Sequence, residues 1–242
     1  MYHFYCVIIF ACFTSFFVGT ALAKEHIQVV TENWYPYNYL DENNNNIVGQ
    51  STERVKHVLK AADLDYSIAS YPWTRAFNLA TTSPNVLIYT VLRTPDREDL
   101  FHWICPIVNK EVHQLYRLTS RTDIQLKTEQ DIKNYSTVVT RDTFLHKLML
   151  ELGLSEEQNL QVTADDNINA TLFLAGRVDI LPAIDTAIEH ILATQGIDKS
   201  VISPLLTISA QHYPDYCMAL SKATPQPLVQ QIRQAHQSIN LH

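Results

Sequence analysis

The sequence is short of the features that mark several common functions. It has no Cys-x-x-Cys pair and no His-Glu-x-x-His run, so a zinc site has no support from spacing. Its ten histidines are scattered, and each suits a surface or satisfied core position better than a metal. Basic charge is also short: 18 Lys and Arg against 25 Asp and Glu leave a net charge of −7. Nucleic acids and anionic membranes are held by basic surfaces that displace counterions, so neither is expected as a partner. Low-complexity sequence is confined to the asparagines at 43–46.

The first 23 residues contain no Asp, Glu, Lys or Arg. Within them Phe4 to Val18 is an apolar run of about fifteen residues, short for a hydrocarbon core of ~30 Å. It runs on to Ala21-Leu22-Ala23, the small-x-small pattern of a signal-peptidase site. Residues 1–23 are therefore expected to be a cleaved export signal. Met1-Tyr2-His3 lacks the usual Lys or Arg, and an uncleaved anchor is the alternative. Cleavage removes Cys6 and Cys12, leaving only Cys105 and Cys217. In an oxidising compartment these are a disulfide candidate, with two buried thiols as the alternative.

The remaining chain is long enough for one large domain or two small ones. Strands are predicted at 26–30, near 66–68 and at 86–89, with helices from 51 and over 73–80 between them. Val86-Leu87-Ile88-Tyr89 is continuously apolar, as in a strand buried on both faces at the centre of a parallel sheet. An extended stretch over 106–118 then separates two α/β halves. The second half reads as a short helix from Thr128, a strand at 136–140, helices over 142–152 and 167–175, a strand at 178–181 and a helix over 183–195. A second extended stretch, 216–220, leads into a last helix with Leu228, Val229, Ile232, Ala235 and Ile239 on one face.

Arg75 and Arg97 each fall in the first turn of a predicted helix, just after a proline. A cation there opposes the helix dipole by roughly 0.3–1 kcal/mol, so a compensating anion is expected. A bound carboxylate or phosphate would meet free backbone N–H groups and a guanidinium fork. Alternatively, Arg97 pairs with Asp96, Glu98 or Asp99 and Arg75 is merely exposed; Arg93 adds a third cation nearby. Trp34, Tyr35 and Tyr37 follow the first strand, and Trp73 stands beside Arg75. Aromatic rings at the carboxyl ends of such strands form either a pocket wall or ordinary packing.

Several segments occur in the order seen in one family. They are Trp34-Tyr35-Pro36-Tyr37, Ile47-Val48-Gly49, Arg93-Thr94-Pro95-Asp96-Arg97-Glu98, Gly176-Arg177-Val178-Asp179 and Tyr216-Cys217-Met218-Ala219-Leu220-Ser221-Lys222. In these the chain resembles the bacterial periplasmic solute-binding proteins of type II, the amino-acid-binding family that serves ABC transporters, as a divergent member. The resemblance covers nearly all of the exported chain.

It implies two α/β lobes joined by two hinge strands and closing over a ligand. Lobe 1 would comprise 24–109 and 216–242, and lobe 2 would comprise 110–215. The family's Thr-x-x-Arg carboxylate motif falls on Thr94 and Arg97, and its stacking aromatic falls on Trp34. The second-lobe contacts fall on Arg141, Asp142 and Thr143, with Asp185 as the acidic residue after the Gly-Arg-x-Asp segment. Tyr37, Trp73 and Arg75 complete the expected ligand-binding set, and Asp185 or Asp142 would meet an ammonium group. The crossovers run side by side in the family, which favours a Cys105–Cys217 bridge.

The chain departs from the family pattern in reading Gly49-Gln50-Ser51-Thr52-Glu53 where many members have Gly-Phe-Asp-x-Asp. Thr140-Arg141-Asp142-Thr143-Phe144 likewise replaces a small glycine-rich stretch, so the ligand does not carry over. The expectation is a monomeric, non-enzymatic periplasmic receptor without a cofactor. It would bind a small polar, carboxylate-bearing solute and pass it to a membrane transporter. A sensory accessory protein and a dehydratase-like enzyme are the alternatives, and Glu32, Glu53 and His146 have no firm placement as acid or base.

Overall fold

The computed structural model describes residues 25–41, 43–109, 111–209 and 215–239. The expected signal, with Cys6 and Cys12, lies outside the described residues.

The first lobe begins with β1 (His26–Thr31), which buries Ile27 and then Val29, Val30 and Thr31 in succession. A hairpin of β2 (Tyr39–Asp41) and β3 (Asn46–Val48) precedes α1 (Gln50–Ala61) and β4 (Asp65–Ser70). The helical spacing of Val55, Val58 and Leu59 places all three in the core. Next come α2 (Trp73–Thr82), β5 (Val86–Leu92), a 3-10 helix (Pro95–Leu100) and β6 (Phe101–Val108). The second lobe holds β7 (Gln114–Leu118), β8 (Thr137–Thr140), α3 (Phe144–Glu151), β9 (Leu160–Thr163), α4 (Asp166–Leu174), β10 (Leu181–Ala183), α5 (Asp185–Thr194) and β11 (Ile202–Thr207). The chain then returns to the first lobe as β12 (Tyr216–Ser221) and α6 (Gln226–Ile239).

The large sheet has the order β4-β1-β5-β12-β6. Strand β5, buried at every residue, runs parallel to β1 on one side and antiparallel to the returning β12 on the other. The sheet is therefore parallel from β4 to β5 and antiparallel beyond β5. In the second lobe β7 is flanked antiparallel by β10 and β11, while β8 and β9 pair in parallel.

Two crossings join the lobes, and they touch. The Ile208 N–H donates to the His113 carbonyl at 2.9 Å, and β12 pairs with β6 from Tyr216↔Val108 onward. That pairing brings Cys105 and Cys217 into a disulfide with Cα atoms 4.5 Å apart, inside the usual window. The expected bridge is present.

Several local expectations need correction. The extended stretch over 106–118 is broken, because β6 ends at Val108 in one lobe and β7 starts at Gln114 in the other. The turn opened by Pro95 is a six-residue 3-10 helix, and Thr94 makes no side-chain cap bond to it. The strand expected at 178–181 begins at Leu181, since Asp179 and Ile180 direct their N–H groups to the Ser136 carbonyl before pairing with β7 can start. The following helix accordingly begins at Asp185. Strands β9 and β11 were not expected. β9 is only four residues long, and β11 carries Pro204 beside a bulge, where a proline ordinarily argues against a strand.

A candidate ligand-binding cleft

The aromatic loop after β1 is held by the start of α1. N–H groups at a helix start lack intrahelical partners. Gln50 donates to the Pro36 carbonyl at 3.1 Å and Ser51 to that of Tyr37 at 2.9 Å. This approach requires glycine at 49: its φ is 118°, and a Cβ there would lie 2.5 Å from the Tyr37 carbonyl oxygen. The loop is thereby pinned, with Trp34 facing the space between the lobes and the Tyr37 ring buried against Trp34 and Tyr216.

Strand β5 contributes a strained residue to the same place. Thr90 has φ 60°, a conformation that β-branched residues rarely adopt. It is the extra residue of a bulge, because Tyr89 pairs with Met218 and Val91 with Cys217, leaving Thr90 unpaired. Its hydroxyl donates to Asn38 Oδ1 at 2.6 Å, and Asn38 Nδ2 donates to the Glu32 carbonyl at 2.8 Å. One polar chain thus links the sheet centre to Glu32 on the cleft wall.

The second lobe supplies the opposite wall from the ends of β8 and α4. Thr140 Oγ1 and Asn169 Nδ2 both donate to Asp166 Oδ1, at 2.6 and 3.1 Å. Asp165 caps α4 by accepting from the Ile168 N–H at 3.0 Å. Between the walls lies about 590 Å³ of non-atom space, part of it open to solvent. Glu32, Trp34, Trp73, Arg97, His113 and Asp166 are among the residues that line it.

Arg97 is 7% exposed, an uncommon burial for a guanidinium. Its carbon Cζ sits 5.4 Å from the Trp73 ring centre and 5.2 Å from that of Phe77. Burial pulls its pKa down, opposed by the charges of Asp96, Glu32 and Asp142. Glu32 is shifted the other way, up to about 8, by burial first and by Asp166 second, with Arg97 pulling it back. Asp166 is pushed up as well, by the protein packed around its carboxyl first and by Asp165 after it, although the residue as a whole is solvent-exposed. His113 is driven down to about 3 by burial alone and is neutral.

The lobes also grip each other directly. Asp142, at φ 59°, presents its carbonyl oxygen to Trp73 Nε1 at 2.8 Å and to Arg97 Nη2 at 3.1 Å. Its carboxylate accepts from Thr74 Oγ1 at 3.1 Å. Lys147 pairs with Asp96 at 3.0 Å, and Tyr35 stacks on His190 with ring centres 3.9 Å apart. These contacts hold the two lobes against each other at the cleft.

Of the residues expected to bind ligand, Trp34, Trp73, Arg97 and Thr143 line the cleft. The others are placed elsewhere. Thr94 is buried just outside the lining. The Tyr37 hydroxyl accepts from the Glu111 N–H at 3.1 Å, in the hinge region. Arg75 is exposed and lies over the Tyr71 ring, because α2 buries the face that carries Trp73, Ala76 and Ala80 and position 75 falls outside it. Arg141 is exposed beside Glu156, Asp185 accepts from the Tyr116 hydroxyl, and Asp142 serves as clasp rather than as cleft wall. Local acids pair with Arg93, which makes a two-bond contact to Glu98, and leave Arg97 to the cleft. Thr90, His113, Asp166 and Asn169 are lining residues that the sequence reading missed, and Glu32 now has a place. The doublet Asp165-Asp166 at a helix start was the one available signal for the second wall.

Among the described residues no group of His, Cys, Asp and Glu is arranged to hold a metal ion, and no helix is long and apolar enough to cross a membrane.

Solved structures place the fold. A histidine kinase sensor domain with similarity to periplasmic binding proteins superposes with a TM-score of 0.78 at 14% identity, over 90% of this chain and 91% of its own. The arginine-, lysine-, histidine-binding protein ArtJ from Geobacillus stearothermophilus gives 0.73 at 15%, over 90% of each chain. An ancestral arginine-binding protein bound to arginine gives 0.72 at 15%, over 89% of this chain and 92% of its own. The chain thus has the two-lobed periplasmic-binding-protein-like fold. No family model matches the sequence, and no curated protein matches it.

Proposed function

We propose that this chain is a non-enzymatic receptor for a small amino-acid-like ligand enclosed between its lobes. The observation that carries the reading is Arg97, a buried cation facing the cleft between the lobes, which Trp34 and Trp73 help to wall. A ligand carboxylate would take the guanidinium, and an ammonium group would take Asp166 or Glu32 on the facing walls. Lobe limits of 24–109 with 216–242, and 110–215, fit this division of labour. The ligands named for the neighbouring structures, arginine and glutamine among them, have these two groups and support the same class.

Delivery to a membrane transporter from the periplasm, as a monomer and without a cofactor, is the role we assign. A sensory role is the second reading, favoured by the kinase sensor domain among the structural neighbours. Either role needs the same binding event. A thermal-shift screen against amino acids, short peptides and organic acids tests it. A stabilising hit is expected among the amino acids, and Arg97→Ala should remove it. A hit that survives this substitution rejects the role of Arg97.

A further inference from the structure

The cleft is out of charge balance. Its lining includes two carboxylates, Glu32 from the first lobe and Asp166 from the second, against the one guanidinium of Arg97. Arg97 is shared further, because Asp96 and Asp142 act on it and its Nη2 is bonded to the Asp142 carbonyl. His113 also lines the space, but its burial keeps it uncharged. Asp165 adds negative charge from the start of α4 and acts on both carboxylates. Two like charges lining one cleft resist ionising together.

The facing groups differ in how they are held. Asp166 receives two hydrogen bonds on one oxygen, from Thr140 and Asn169, which favours its ionised form. Glu32 is fixed through its backbone carbonyl by Asn38, and among the described residues no bond of comparable kind supports its carboxylate. Of the two, Glu32 is the one to keep a proton.

We infer that Glu32 is the specificity-determining residue of the cleft, holding a proton when a zwitterionic ligand is bound and exchanging it for the second cationic group of a basic ligand. The inference rests on the amino-acid reading above. Charge balance gives the rule. A zwitterion brings one positive and one negative group, which Asp166 and Arg97 match, and Glu32 stays neutral. A ligand with an extra guanidinium or ammonium supplies the missing positive charge, so Glu32 ionises and one proton goes to solvent. Basic ligands should then gain affinity as pH rises, and neutral ones should not.

Calorimetric titration of the whole chain with L-arginine and with L-glutamine at pH 6, 7 and 8 tests this. Release of one proton corresponds to about tenfold tighter arginine binding per pH unit below the Glu32 midpoint. Glutamine affinity should change by less than about twofold per unit on the same reasoning. Glu32→Gln should flatten the arginine profile. Carbon-13 spectra of the glutamate carboxyls in the ligand-free protein, assigned with that variant, should show Glu32 titrating far above ordinary glutamates. Binding of both amino acids with the same pH profile overturns the exchange alone, as does an ordinary Glu32 midpoint. Binding of neither overturns the amino-acid reading, and the exchange with it.

Discussion

Arg97 and Glu32 are an unequal pair, each displaced from its usual ionisation by the same enclosure. A charge-assisted hydrogen bond contributes roughly 1.5–3 kcal/mol, so Arg97→Ala should weaken ligand binding by about ten- to a hundredfold, measured by calorimetry. For Glu32 the folded chain holds a proton that the unfolded chain has lost between the ordinary value of 4.5 and about 8. The contribution of Glu32 to folding stability must then fall as pH rises through that interval, because at this site the folded state binds more protons. Removing the ionisable group removes the penalty. Glu32→Gln should raise the melting temperature by several degrees at pH 8.5 and leave it unchanged at pH 4, measured by differential scanning calorimetry. Arg97 was legible in the sequence because a Thr-x-x-Arg spacing accompanies it. Glu32 was not, since nothing local distinguishes an acid after a strand from an exposed one. What singles it out is Asp166, far along the chain and in the other lobe.

Elements explain why some expectations transferred and others did not. Strand β5 and helix α6 were readable because burial imposes their pattern directly, as a continuous apolar run in one and a single apolar face in the other. The second-lobe wall was harder, because β8 and β9 are four residues each and their loops carry the contacts. The Pro72-Trp73-Thr74-Arg75 segment shows the difference between noticing residues and placing them. Trp73 and Thr74 reach across to Asp142, while Arg75 points away over Tyr71. Trp73→Phe keeps an aromatic ring and deletes the bond to Asp142. Loss of roughly 0.5–1.5 kcal/mol should shift the ligand-free chain toward the open form and weaken binding about three- to tenfold. Small-angle scattering should report a larger radius of gyration for the variant. An unchanged radius and affinity would show that the clasp does not set the equilibrium.

For the whole molecule, the disulfide joins strands of one sheet across a sequence separation of 112 residues. It lies in the first lobe beside the crossings, so it ties the two passages of the chain together without bridging the cleft. Constraint of so long a loop in the unfolded chain suggests a loss of about 2–4 kcal/mol in the double variant Cys105→Ser with Cys217→Ser. Urea denaturation should show that loss, and the arginine affinity should stay within about twofold. The two-lobed plan was legible from two extended stretches around a middle block, whereas the contact between the lobes at the cleft was not. That contact depends on Asp142, Lys147 and His190 meeting residues of the other lobe, which no local pattern encodes. The most direct measurement is a crystal structure of the chain with L-arginine bound. It should show the ligand carboxylate about 2.7–2.9 Å from the Arg97 guanidinium, with Trp34 and Asp166 against the same molecule. Arginine bound outside the cleft, or Arg97 bonded only to Asp142, would contradict it.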